Sequence, residues 1–118
     1  MFNYYIYRTY FNAKHSFNGD ITKIHGHSFT VVTYIGMKDS KEDIPFFKLE
    51  AIISSFIDQY RGRYLNELPE FEGCGNTLET IGDYFYEKLR KQFMKSGMEL
   101  YQLDISENPL CVYQVSDR

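Results

Sequence analysis

The hydrophobic periodicities along this chain predict an α+β domain in the order ββααββ: a four-stranded antiparallel sheet with two helices on one face. Three observations predict it. Two N-terminal runs, IYRTYFNAKHSF and HGHSFTVVTYI, are rich in β-branched and aromatic residues, and FNGDITK between them contains Asn-Gly-Asp, which is turn chemistry. Two central segments place apolar residues at the 3.6-residue period of a helix. The tail segments ELYQLDISE and LCVYQV return to strand character on either side of Asn108-Pro109.

The first strand is expected from about Phe2 to Phe17 and the second from about His25 to Gly36. In the second, residues 25, 27, 29, 31, 33 and 35 define one face, because successive side chains of a strand alternate. The charged run KDSKED follows as a solvated loop ending at Pro45. The first helix carries Leu49, Ile52, Ile53, Phe56, Ile57 and Tyr60 on its apolar stripe and ends by Gly62. Asn76 with Glu79 three residues on is a variant capping box that opens the second helix. That helix has the stripe Leu78, Ile81, Phe85, Leu89 and Phe93, with Gly97 past its end.

Both helices need an apolar surface to cover, and one face of the sheet supplies it. The other face stays open unless subunits join their sheets into a barrel, which also removes the edge strands. The 11 Tyr and 10 Phe, with no Trp, suit half-buried strands and interfaces and favour that oligomeric barrel.

The 118 residues fit a single domain over 1–118. A formal net charge of −3 without a basic patch gives nucleic acid binding no electrostatic support. No stretch reaches membrane-spanning length, and MFNYYIYRTYF lacks the charged n-region and apolar core of a signal peptide. Two cysteines, Cys74 and Cys111, are too few for a disulfide scaffold and fit a reducing cytosol, so a cytoplasmic protein is expected. Cys111, within a strand, is expected to pack.

All three histidines fall within residues 15–27: His15, then His25 and His27 in a His-Gly-His. Residues i and i+2 of a strand share a face, and an antiparallel partner strand brings His15 to the same end. Three neutral imidazoles and one open position are the ligand set of a catalytic zinc ion. The plain alternative is three unrelated surface or core histidines.

Phe11-Asn12-Ala13-Lys14-His15, His25-Gly26-His27, Tyr64-Leu65-Asn66, Asn76-Thr77-Leu78-Glu79 and Ile105-Ser106-Glu107 occur in the order of the 6-pyruvoyltetrahydropterin and 6-carboxytetrahydropterin synthase family, which the chain resembles from residue 2 to about residue 115. The resemblance implies a tunnelling fold whose subunits associate through a β-barrel into trimers or hexamers, and Zn2+ on His15, His25 and His27. It implies a lyase acting on 7,8-dihydroneopterin triphosphate or a close pterin, with Glu107 anchoring the pterin ring, and a bacterial-style route toward the queuosine precursor. Thr77 and Glu79 read as plain helix capping, or as part of a loop lining the pterin pocket.

Three positions depart from the family pattern. Its cysteine base falls at Ile21, and its Asp-His pair at Arg61 and Gly62. Isoleucine takes no proton, arginine stays protonated and glycine has no side chain. Asp20, one residue before the cysteine slot, is the first substitute base; its ordinary role is a turn aspartate. Cys74, just ahead of the second helix, is another, because a helix N-terminus favours thiolate. Arg61 suits triphosphate, or simply sits as a cation near a helix C-terminus. The expectation is therefore a zinc-dependent pterin lyase with an altered acid/base set, or a homologue that holds zinc and pterin without turnover.

Overall fold

The computed structural model describes residues 3–15, 25–37, 45–71, 77–108 and 110–117. The elements are β1 (Tyr5–His15), β2 (His25–Met37), α1 (Phe46–Asp58), α2 (Leu78–Lys95), β3 (Met98–Asn108) and β4 (Cys111–Ser116), with short 3-10 turns at Leu65–Glu67 and Pro69–Phe71 between the helices. The sheet order is β1-β2-β3-β4, antiparallel throughout. This is the expected α+β arrangement; the two 3-10 turns were not foreseen, since three-residue turns leave no periodicity to read.

The alternation along β2 sets the layers. Phe29, Val31, Thr33 and Ile35 are all fully buried, facing the helices. The Thr33 hydroxyl is satisfied by the Tyr7 carbonyl at 3.2 Å. From β1, Phe11 stacks on Phe29 with centroids 5.0 Å apart. Phe85 of α2 then joins the layers: its ring lies 5.8 Å from Phe11, 5.1 Å from Phe56 of α1 and 4.9 Å from Tyr60. Burying each such ring contributes about 1.5–3 kcal/mol.

α1 buries Leu49, Ile53, Phe56 and Ile57, as its stripe predicted, while Ile52 is only partly buried. α2 buries Ile81, Phe85, Leu89 and Phe93 and adds Tyr86 and Gly82. A Cβ on Gly82 would lie 2.9 Å from Ile105 Cγ2 and 2.9 Å from Tyr113 Cδ2, so the missing side chain lets α2 sit close on β3 and β4.

Two expectations need adjustment. The N-cap of α2 is Thr77, not Asn76: Thr77 is extended, and its Oγ1 accepts the Thr80 N–H at 3.2 Å. Asn76 lies outside the described residues, as do Phe2, Phe17 and the KDSKED loop. Cys111 lies in β4 but is exposed rather than packed, because β4 is an edge strand. No helix of the described residues is long and apolar enough to cross a membrane.

The sheet face turned away from the helices is left uncovered by the described residues of the single chain. It carries Ile6 and Tyr10 of β1 and Val112 of β4, all substantially exposed. Asp104 on the same face is nonetheless buried. It accepts the Tyr34 hydroxyl at 2.7 Å and the Gln102 amide at 2.8 Å. The hydrogen bond to Asp104, reinforced by burial, raises the Tyr34 pKa.

Candidate functional site

The end of the sheet formed by the C-terminus of β1, the N-terminus of β2 and the C-terminus of β3 collects the expected site residues. In the β1–β2 ladder His15 pairs with His25, Ala13 with His27 and Phe11 with Phe29. Positions 15, 25 and 27 therefore share the parity of the buried Phe11, Ala13, Phe29 and Val31, on the helix-covered side, on adjacent rungs. Residues directly opposite on one rung lie about 4.5–5.5 Å apart at Cβ, and diagonal neighbours on the same face about 7–8 Å. The register thus brings together at one end of the sheet the three positions that the sequence offers as metal ligands. Their side chains are outside the described residues; among the described residues no group of three or more His, Cys, Asp or Glu could hold a metal.

Glu107 belongs to the same end. The β2–β3 ladder closes at Thr30 with Ser106, which puts Glu107 one step further, level with Phe29 and two residues along β2 from His27. It is partly exposed and borders a depression of about 510 Å³ shared with Ser28, Thr30 and Ser106.

The segment after α1 is clamped along β1 beside the histidine-bearing rungs. Gly62 N–H donates to the Asn12 carbonyl at 2.6 Å, and Lys14 N–H donates to the Arg63 carbonyl at 2.9 Å, continuing into a parallel bridge between Lys14 and Tyr64. Gly62 has φ +70°, a left-handed conformation in which glycine is the unstrained choice. Tyr60 fixes the segment from beneath through its hydroxyl to Glu70 Oε2 at 3.1 Å; burial, with Tyr84 and Glu70 nearby, pushes its pKa strongly up. The backbone thus holds positions 61 and 62 against β1 at Asn12 and Lys14.

Arg61 is exposed there, and two of its nitrogens are engaged. Nε donates to Asp58 Oδ1 at 2.6 Å and Nη1 donates to the Tyr10 carbonyl at 2.7 Å. Those partners orient the guanidinium and tie α1 to β1. Thr77 is occupied in capping α2, with its hydroxyl also 3.1 Å from that of Thr80, while Glu79 is exposed in the first turn. Asp20, Ile21 and Cys74 lie outside the described residues.

Two polar features at this end were not singled out from the sequence. Ser28 Oγ donates to Asn12 Oδ1 at 2.7 Å across β1 and β2. With Lys14 and Gly62 the pair borders a second opening of about 300 Å³ on the outer side of the histidine rungs. Serine and asparagine in a strand give no signal of their own until the register places them opposite each other.

A four-stranded antiparallel meander with a helix pair inserted between its second and third strands, and with histidine positions gathered at one end, defines a domain of the tunnelling-fold class. The family model described as 6-pyruvoyl tetrahydropterin synthase matches residues 5–118, and the chain belongs to that family.

Solved structures agree on the fold. The 6-pyruvoyl tetrahydropterin synthase of Caenorhabditis elegans is similar at 22% identity, covering 100% of each chain with a TM-score of 0.78. That of Plasmodium falciparum is similar at 15% identity over 98% of this chain and 97% of its own, TM-score 0.70. A catalytic-residue mutant of the Plasmodium vivax enzyme, in which a glutamate is replaced by alanine, is similar at 17% identity with the same coverage and a TM-score of 0.71. A comparison with curated protein sequences gives no match.

Proposed function

We propose that the protein is a zinc-dependent pterin lyase acting on 7,8-dihydroneopterin triphosphate or a close pterin, with a proton-transfer set altered from the family pattern. The single observation that carries this reading is the register of β1 and β2, which sets His15 against His25 with His27 on the adjoining rung of the same face.

His15, His25 and His27 are the three residues that hold the ion in this reading. When bound, zinc supplies a Lewis acid for the side-chain hydroxyls of the pterin, acidifying the adjoining C–H. Glu107 meets the N–H pair of the 2-aminopyrimidinone ring with two parallel charge-assisted hydrogen bonds, as a carboxylate does with arginine. Its place level with Phe29, two residues from His27, supports that role. Arg61, oriented by Asp58 and the Tyr10 carbonyl, presents its remaining N–H groups to the triphosphate. Thr77, the N-cap of α2, is a further contact to the pterin in this reading.

Asp20 takes the proton that the family's cysteine would take. The catalytic glutamate of the Plasmodium vivax enzyme supports a carboxylate in that role. Cys74, close ahead of the N-terminus of α2, is the second candidate. Subunits close their sheets into a barrel as trimers or hexamers. The open face with exposed Ile6, Tyr10 and Val112, flanked by the edge strands β1 and β4, supports this. The composition, with only two cysteines, supports a cytoplasmic setting.

A second reading is a homologue that holds zinc and pterin without turnover. The replacement of three family catalytic positions by Ile21, Arg61 and Gly62 favours it. Incubating zinc-loaded protein with 7,8-dihydroneopterin triphosphate separates the two. Triphosphate release or a side-chain-altered pterin supports the lyase, and Asp20→Ala or Cys74→Ala then abolishes turnover according to which supplies the base. Bound, unchanged pterin supports the second reading, and absence of both binding and product rejects the two together.

A further inference from the structure

The opposite end of the sheet holds a cavity of about 620 Å³ that, among the described residues, shares no lining residue with the histidine end. β4 stops at Ser116, which pairs with Gln102, so β3 from Met98 to Tyr101 runs on past its neighbour. The β2–β3 register also shifts between Tyr34 and Ile35, whose partners are Gln102 and Leu100; Tyr101 is the extra residue of that bulge. Bulges re-aim side chains. Tyr101 here lines the cavity together with Tyr4 and Tyr86, with Glu99, and with the Arg90–Asp117 ion pair at 2.5 Å.

The chemistry of the walls is one-sided. The Tyr4 ring lies 6.1 Å from that of Tyr101 at 55°, so two aromatic surfaces meet at an angle. Arg90 is matched by Asp117, while Glu99 makes no hydrogen bond or ion pair among the described residues. The Tyr86 hydroxyl donates to the Leu100 carbonyl at 3.4 Å, and its remaining lone pairs accept. Burial, followed by the nearby Asp117 carboxylate, raises the Tyr86 pKa and keeps this hydroxyl neutral. Aromatic faces attract cations, and a carboxylate without a counter-charge makes charge-assisted bonds to N–H donors.

We propose that this cavity is a second ligand site, taking a flat organic cation such as an amidinium or guanidinium, which lies against Tyr4 and Tyr101 and donates to Glu99. The volume lies within the range of small-molecule sites. The site is independent of the metal and the pterin.

Benzamidine and its neutral isostere benzamide are the probes, titrated into the full-length protein and followed by amide chemical shifts. Benzamidinium is expected to bind at least about tenfold more tightly than benzamide, with shifts clustering at Glu99, Tyr101 and Asp117. Glu99→Gln, a change at an exposed position that the fold tolerates, is expected to abolish that preference. Equal binding of the two probes, binding of neither, shifts centred on residues 12–28, or a preference that survives Glu99→Gln would each overturn the proposal.

Discussion

His15 is the register partner of His25 at the last rung of the β1–β2 ladder, with Ala13 against His27 one step inward along the same face. Antiparallel pairing of β1 with β2 thus brings residues ten apart in sequence to directly opposed positions.

The first prediction concerns that metal. Protein purified with zinc is expected to retain about one ion per chain by elemental analysis, and His25→Ala or His27→Ala to lose most of it. Both variants are expected to keep the far-UV spectrum of the parent, because the core around Phe11, Phe29 and Phe85 is built from apolar side chains other than the histidines. Unchanged zinc content in either variant would remove the basis for the site.

Arg61 has two separable jobs, and one variant distinguishes them. Its contacts with Asp58 and Tyr10 are exposed, so Arg61→Ala is expected to cost less than about 1 kcal/mol of stability in urea denaturation. If its free N–H groups meet the triphosphate, KM rises about tenfold or more with kcat nearly unchanged. A large stability loss with an unaltered KM would make the residue purely structural.

Gly82→Ala sets two magnitudes against each other. Alanine improves the intrinsic helix preference of α2 by about 1 kcal/mol, whereas overpacking a dense contact costs about 1–3 kcal/mol. The new Cβ meets Ile105 and a Tyr113 ring that is fixed by its hydroxyl donating to Asp83 Oδ1 at 2.7 Å. Overpacking is expected to win, leaving a net loss of about 1 kcal/mol of unfolding free energy, measured by urea denaturation. A stabilised variant would show that α2 can lift off β3 and β4.

The same Tyr113–Asp83 bond carries a pH dependence. Donation to the carboxylate, with burial, holds the Tyr113 pKa up to about 12 against an ordinary 10.0. A folded-state pKa above the unfolded one contributes stability that is complete below pH 10 and is lost as pH climbs through about 12. Thermal midpoints are expected to fall across that window, and Tyr113→Phe to start lower at pH 8 but fall less. Parallel slopes for the two proteins would refute the linkage.

Much of this was written in local pattern. The alternation of Phe29, Val31, Thr33 and Ile35 required one buried sheet face, and the spacing of Ile81, Phe85, Leu89 and Phe93 required a helix to cover it. Those periods are properties of single elements, so they survive without knowledge of what packs where. The His-Gly-His spacing likewise placed two ligand candidates on one face before any pairing was known.

Other features exist only between elements. The sequence left the cap of α2 between Asn76 and Thr77, and backbone geometry gave it to Thr77. Arg61 acquired its partners because the turn after α1 lies against β1, and Asp104 became buried on an open face because Tyr34 and Gln102 stand beside it. The bulge at Tyr101 and the early stop of β4 made a cavity from residues in β3, α2 and both chain ends. Strand registers, bulges and helix-to-strand contacts depend on pairing over long separations, which no local window contains. The sequence therefore determined the layers and offered the candidate ligand residues, while tertiary structure decided which polar groups met and where space was left.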